Sequence, residues 1–368
     1  MEDTPSKRIT GKRFPELTVT GTPYEMGVQI GSRLRDPIQQ SLNQLLPQDR
    51  LELIQSRTLA FERIIAELDP LYMQEIAGIR DGAEIERWKA LYLHTRWDIN
   101  LQEPEKGECT TFAIPPAMTV DGEVYAGTNH DVSVWAKEQA LLLTMRPADG
   151  PRLMMMTYPG SIALDGMNEY GLCLCGNSLY GKRNFSPMPH GLFKRMLLRQ
   201  PDVASCVEMA QTLVQSGLIG FSGNFTLCDI AGNMACLELI CGKLAVIAAD
   251  RNEQRPFLAH TNHLLTDSPE HVSLQGDWQQ SSNTVGRLER FQHLMSAHET
   301  PVDLPFVQRL LSDHTHYPGS ICSHVSDSYH TAYSAIMLPR RKLAYISYGN
   351  PCQNQYQLYR LNPADDQA

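Results

Sequence analysis

The sequence predicts an α+β protein in which two packed, mainly antiparallel sheets carry helices on their outer faces. Three observations predict it. The first hundred or so residues carry helical periodicity, the residues after Cys109 fall into short β runs separated by tight turns, and the β signal resumes near the C-terminus after helical inserts. Strands, then helices, then strands again, with no internal repeat and no convincing boundary linker, read as one domain over residues 1–368.

Taken in order, Phe14 to Thr20 is strand-like and meets Gly21. Pro23 then sits where a first helical turn tolerates it, ahead of Met26, Ile30 and Leu34 on one helical stripe. Further helical patterns occupy about 50 to 68, 70 to 81 and 84 to 98. The segment Leu101-Gln-Glu-Pro-Glu-Lys-Gly-Glu108 breaks the pattern with polar side chains, a Pro and a Gly, and reads as an exposed linker in which a chain break is tolerable. Beyond it, turns at Asp121-Gly122, Asp149-Gly150, Ala231-Gly232-Asn233 and Cys241-Gly242 separate β runs, and such hairpins imply antiparallel pairing. Helical segments fall at about 190 to 216, 282 to 296 and 303 to 312, followed by strands at Tyr333 to Leu338, Leu343 to Tyr348 and Gln355 to Leu361.

Composition narrows the function. Hydrophobic residues at 42% and charged ones at 20% are ordinary for a soluble globular chain. Thirty-two Lys and Arg against 41 Asp and Glu give a net charge of −9, which disfavours nucleic acid as a partner, because a polyanion must be neutralised by cations. The N-terminus lacks the apolar core of a secretory signal, and no stretch approaches the roughly 18 apolar residues of a membrane span. A cytoplasmic protein with no membrane partner is expected. Nine cysteines scattered through a long chain argue against a disulfide framework, and most should act as small buried hydrophobes.

One of them stands out. In Gly107-Glu-Cys-Thr-Thr-Phe-Ala-Ile114, Cys109 sits where the polar linker ends and a strand begins. If the peptide before it is cut, a thiol and a free α-amine share one residue, and the amine can serve as general base. Its ordinary pKa of about 7.7 to 8.0 suits that task. The segment alone is equally compatible with an inert buried thiol.

The surrounding motifs resemble the penicillin acyltransferase-like cysteine peptidases, a branch of the N-terminal nucleophile hydrolases. The resemblance runs from Gly21-Thr-Pro-Tyr-Glu-Met-Gly27 and Gly31 through Cys109-Thr-Thr111 to Gly127-Thr-Asn-His-Asp131. It continues in Pro159-Gly160, Gly166-Met-Asn-Glu-Tyr-Gly-Leu172, Asn177, Thr261-Asn-His263, Ser282 to Arg287 and Gly349-Asn-Pro-Cys352. It implies an αββα four-layer sandwich, self-cleavage between Glu108 and Cys109 into chains 1–108 and 109–368 that stay associated, and cysteine amidohydrolase or acyltransferase chemistry on the amide bond of a small acyl-amine or acyl-amino-acid through a thioester on Cys109.

By the same resemblance, Asp131 positions the new α-amine or the thiol, Asn177 is the oxyanion-hole amide and Asn262 is the second amide of the site. Arg287 fixes the polar network, with Arg290 one turn on as the competing choice and Ser282 as a weaker member. No resident cofactor or metal is implied, a coenzyme A thioester fits as an acyl-donor substrate, and a homo-oligomer is compatible. Glu108 is larger than the small residue common before the nucleophile, and Thr128 stands where the bile-salt branch carries an arginine, which separates this chain from that branch.

Two other classes compete. A papain-like thiol protease needs a Cys-His pair, yet a strand follows Cys109, not the helix whose N-terminus depresses the thiol pKa in many such enzymes. A non-catalytic binding protein predicts an uncut chain. A metal site built from His260, His263, Asp267, His314, His316, Cys322 and His324, or from Cys173 and Cys175, matches no known zinc spacing, so these residues are read as core or surface.

Overall fold

A computed structural model describes residues 11–99, 109–161, 164–179, 186–249, 256–266, 283–298, 301–324 and 329–362. Glu108, Asp267 and Ser282 lie outside the described residues. The chain opens with β1 (Glu16–Gly21) and six helices, α1 (Pro23–Arg33), α2 (Arg35–Leu45), α3 (Leu51–Ala60), α4 (Glu62–Leu68), α5 (Pro70–Ala83) and α6 (Arg87–Ile99). Next come β2 (Thr110–Ile114), β3 (Tyr125–Ser133), α7 (Val134–Gln139), β4 (Leu141–Pro147), β5 (Leu153–Thr157), β6 (Gly166–Asn168) and β7 (Cys173–Asn177). Helices α8 (His190–Leu198) and α9 (Val203–Gln215) lead to β8 (Gly223–Cys228), β9 (Met234–Ile240), β10 (Lys243–Ala248) and β11 (Leu258–His260). The chain closes with α10 (Thr284–Ala297), α11 (Leu304–Leu311), β12 (Tyr329–Leu338), β13 (Leu343–Tyr348) and β14 (Tyr356–Arg360).

The strands form an eight-stranded sheet, β1-β4-β5-β6-β7-β8-β9-β10, and a six-stranded sheet, β11-β2-β3-β12-β13-β14. Among these strand pairs only β1–β4 is parallel. Alternation along each strand decides which layer a side chain enters. In β4 and β5, Leu141, Leu143, Leu153 and Met155 face the core shared with α1 to α6, α8 and α9, while Leu142, Met154 and Met156 face the other sheet. In β2, Ala113 faces the inter-sheet core, whereas Phe112 and Ile114 pack with Phe291 of α10 and Val307 of α11. The result is the expected αββα sandwich. The thiols of Cys173, Cys175, Cys228 and Cys236 lie in the inter-sheet core, as small hydrophobes.

The element boundaries follow local chemistry. Thr22 and Glu25 close a capping box over α1, with Pro23 in its first turn. The single helix expected over about 50 to 68 is two, α3 and α4, separated at Phe61, and α2 is a helix that the stripe ending at Leu34 does not announce. The helix expected over about 190 to 216 is likewise two. Pro201 cannot continue α8, and Asp202 accepts from Ser205 N at 2.8 Å to start α9. No helix among the described residues is long and apolar enough to cross a membrane.

The tightest helix contact is α1 on α5. A Cβ added at Gly27 would stand 2.1 Å from Glu75 O, and one at Gly78 would stand 2.2 Å from Tyr24 O. Gly31 and Gly82 are equally constrained, at 2.4 Å from Ile79 O and 2.3 Å from Val28 O. The obstacle is backbone in every case, so no rotamer change relieves it. Gly78→Ala should therefore cost about 3 kcal/mol or more in denaturant unfolding, because overpacking must push the helices apart. Gly122→Ala, with no atom within 4 Å of the new methyl but a φ of +67°, should cost only about 1 to 2 kcal/mol. Equal losses would contradict this account of the helix pair.

Candidate active site

Cys109 is the residue before β2, and the Thr110–Asn129 pairing of β2 with β3 sets it opposite His130. Its side chain is 4% exposed. The sulfur lies 3.8 Å from His130 Nδ1 and 3.9 Å from the Asp131 carbonyl oxygen. Burial, reinforced by the Asp131 carboxylate, pushes the thiol up to about 12, so in the continuous chain it is un-ionised near neutrality. Asp131 itself is fully buried, at the β3 position paired with Thr331 of β12.

Arg287 reaches this strand start from the outer helical layer. Its guanidinium, 1% exposed, donates through Nη1 to Cys109 O at 2.8 Å and Thr110 Oγ1 at 3.0 Å, and through Nη2 to Asn262 Oδ1 at 3.0 Å. The planar fork spans two chain segments at once. Arg290 points elsewhere, with two bonds to Asp313 at 3.0 and 2.7 Å. Asn262 is also held through its backbone N–H, which donates to Thr284 Oγ1 at 2.8 Å, and through Nδ2, which donates to Ser178 O at 2.9 Å.

Asn177 ends β7 beside Thr111. Its Nδ2 donates to Thr111 Oγ1 at 3.2 Å, His260 O at 3.2 Å and Thr261 O at 3.1 Å. The adjoining Thr261 carbonyl also accepts from His260 Nδ1 at 2.7 Å, and His260 Nε2 meets Glu238 Oε1 of β9 at 2.7 Å. The five residues expected at the site thus fall around one strand start, with Asn177 joined through Thr111 and the Thr261-Asn262 segment.

Four further residues, His130, Asp165, Lys194 and Tyr333, join the cluster without having been singled out by the sequence. The His130 ring stacks on Tyr333, with centroids 4.7 Å apart, and Nδ1 lies 3.6 Å from Asp165 Oδ2. Burial lowers its pKa to about 4 against the pull of Asp165, so the ring is neutral at ordinary pH. Asp165 also accepts from Gly176 N at 2.8 Å and from the Tyr333 hydroxyl. Lys194, buried beside Gly176, donates to Leu164 O at 3.1 Å, and burial lowers its pKa while Asp165 and Cys109 oppose that shift. Of the four, only His130 lies within a family-like motif, the run Gly127 to Asp131.

A cleft of about 390 Å³ lined by Glu62, Met73, Arg80 and Arg87 lies in the helical layer and shares no lining residue with this cluster. His314, Cys322 and His324, expected as core or surface residues, converge with Cys352.

The hydrogen bonds predict an asymmetry between the two arginines. Arg287→Ala strands three buried acceptors and should cost about 3 kcal/mol or more in urea unfolding. Arg290→Ala breaks a partly exposed pair and should cost about 1 kcal/mol. Comparable losses, or the reverse order, would show that Arg287 does not organise this strand start.

Comparison with known proteins bears on what such a cluster does. A profile described as acyl-coenzyme A:6-aminopenicillanic acid acyl-transferase matches residues 118–353, a stretch that begins after Cys109 and contains Asp131, Asn177, Asn262 and Arg287. The chain is 28% identical over 322 residues to the acyl-coenzyme A:6-aminopenicillanic-acid-acyltransferase 40 kDa form of Emericella nidulans, covering 83% of this chain and 84% of the relative. Among solved structures it is similar to the penicillin V acylase from Agrobacterium tumefaciens, with a TM-score of 0.45 and 18% identity over 65% of this chain and 83% of that one. It is also similar to a variant of the conjugated bile acid hydrolase from Clostridium perfringens, with a TM-score of 0.44 and 17% identity over 69% and 97%. With the profile matched over well over half of its length, the chain belongs to the acyl-coenzyme A:6-aminopenicillanic acid acyl-transferase family.

Proposed function

We propose that this chain is a self-processing cysteine amidohydrolase or acyltransferase that cuts its own Glu108–Cys109 bond and then carries an acyl group as a thioester on Cys109. The observation that supports it most is the grip of Arg287 on the Cys109 carbonyl, with the Cys109 sulfur turned toward His130 and Asp131.

In the first step the Cys109 thiol attacks the Glu108 carbonyl carbon, and the peptide nitrogen leaves to become the α-amine of Cys109. Water then hydrolyses the thioester and frees the Glu108 carboxylate. Because burial holds the thiol near 12, a base must take its proton during attack, and neutral His130 Nδ1 stands at 3.8 Å for that purpose. After cleavage the α-amine takes over as base, and Asp131 holds its ammonium form. The thiolate attacks the substrate's amide carbonyl, the amine departs with the proton, and water or another acceptor releases the acyl group.

The developing oxyanion needs donors already in place. Asn262 has one amide N–H on Ser178 O and a second for the oxyanion, with Arg287 fixing its orientation. Asn177 already donates to Thr111 and to two carbonyls, so it must exchange one of these to serve as an oxyanion donor. The family name and the Emericella relative suggest a small acyl-amide as substrate and a coenzyme A thioester as acyl donor. The two chains should stay associated, since Met26, Ile30 and Ile76 of chain 1–108 share a core with Leu143 and Met155 of chain 109–368. The close Cys109–His130 approach is the one feature that favours a papain-like protease, but Cys109 opens a strand, so His130 is read as an aid to the N-terminal thiol.

Denaturing mass spectrometry of purified protein should find chains 1–108 and 109–368, of 108 and 260 residues, and Cys109→Ala should remain one chain. A wild-type chain still intact after long incubation under reducing conditions would contradict the processing step.

A further inference from the structure

Away from Cys109, four side chains from three stretches of chain bring their donor atoms together. His314 follows α11, Cys322 and His324 precede β12, and Cys352 lies in the turn after β13. All four donor atoms lie within 4.8 Å of one another. The two sulfurs are 3.6 Å apart, the two Nε2 atoms 3.2 Å apart, and His324 Nε2 stands 3.5 Å from Cys322 Sγ and 3.2 Å from Cys352 Sγ. A tetrahedral zinc ion with bonds of about 2.3 Å to sulfur and 2.0 to 2.1 Å to nitrogen would hold such pairs at about 3.8, 3.3 and 3.5 Å.

From this convergence we propose that His314, Cys322, His324 and Cys352 form a structural zinc site. Two thiolates and two imidazoles suit zinc over the oxygen-seeking cations. Four protein ligands leave no open coordination position, as in structural and not catalytic sites. The surroundings suit a bound thiolate, since Asn350 Nδ2 points at Cys322 Sγ from 3.5 Å and also donates to Ser323 O at 2.6 Å. His314 is exposed, which gives the ion a route from solvent. Binding deprotonates both cysteines and releases those protons to solvent.

The ion would tie the loop before β12 to the turn after β13. That loop exchanges backbone and side-chain bonds with Thr331, from Thr331 N to Ser323 O at 3.1 Å and from Ser323 N to Thr331 Oγ1 at 3.0 Å. Thr331 is the residue paired with Asp131, so the clamp steadies the strand end that carries the site's carboxylate.

Untagged protein purified without chelator should contain about one zinc per chain by elemental analysis, and cobalt(II) bound to chelator-stripped protein should give the absorption band of a tetrahedral thiolate complex. Cys352→Ser and His314→Ala should each lower zinc content severalfold and abolish the protection from heat that zinc gives the wild type. Both ligands sit at the rim of the cluster, so the test does not depend on a folded Cys322→Ser protein. Stripped protein that takes up neither zinc nor cobalt, or zinc retained at wild-type level in both variants, would overturn the proposal. So would an unreduced, metal-free protein two hydrogens lighter, with Cys322 and Cys352 joined as a disulfide.

Discussion

Arg287 fills space that a neutral side chain could fill more cheaply, and the rest of the site depends on its being there. A buried guanidinium needs acceptors, and here Nη1 and Nη2 find them in the Cys109 carbonyl, the Thr110 hydroxyl and the Asn262 side chain. Those bonds fix the start of β2 from the helical side. Because side chains alternate along a strand, Thr110 then faces α10 and Cys109 faces the space between the sheets, toward His130. Lysine could not do the same, since one ammonium cannot present a planar fork to two chain segments.

The packing around this bridge divides the labour. The two cores between helices and sheet hold the large side chains, such as Phe193, Phe225 and Tyr72 on one side and Phe112 and Phe291 on the other. Between the sheets the strands contribute alanines, cysteines and methionines, together with a buried polar seam of Asp165, His130 and Tyr333. Small residues let the sheets approach, so groups from both can meet beside Cys109. Thr111 of one sheet bonds Thr226 of the other at 2.9 Å, and Asn177 reaches across to the same Thr111.

How much of this was legible in the sequence depends on whether an interaction is local. The α1 capping box and the glycines at 27 and 31 are local patterns, and both carry structural tasks. The register of β2 against β3 is not. A two-residue hairpin at Asp121-Gly122 would have set Cys109 opposite Val134, but the connection contains a 3-10 turn at Pro116–Met118, and the partner is His130. Arg287 and Arg290 lie three residues apart, about 60° around a helix, too close for periodicity to say which one faces the sheet. The zinc ligands come from loops separated by as many as 38 positions, from 314 to 352, with no spacing that a local motif would share. Asp165 and Tyr333 find their places only when the sheets stack.

Cys109, the proposed carrier of the acyl group, is one of nine cysteines, most of them buried as packing. Burial raises the thiols of Cys175, Cys206 and Cys236 as it raises that of Cys109, but the Cys109 sulfur has His130 Nδ1 at 3.8 Å to take its proton. The most direct measurement is to quench the enzyme in acid during turnover of a slow acyl-amide substrate and map the acylated peptide. A hydroxylamine-sensitive acyl group is expected on the sulfur of Cys109, at the N-terminus of the 109–368 chain. An acyl group found instead on Cys173, Cys228 or Cys322 would contradict it.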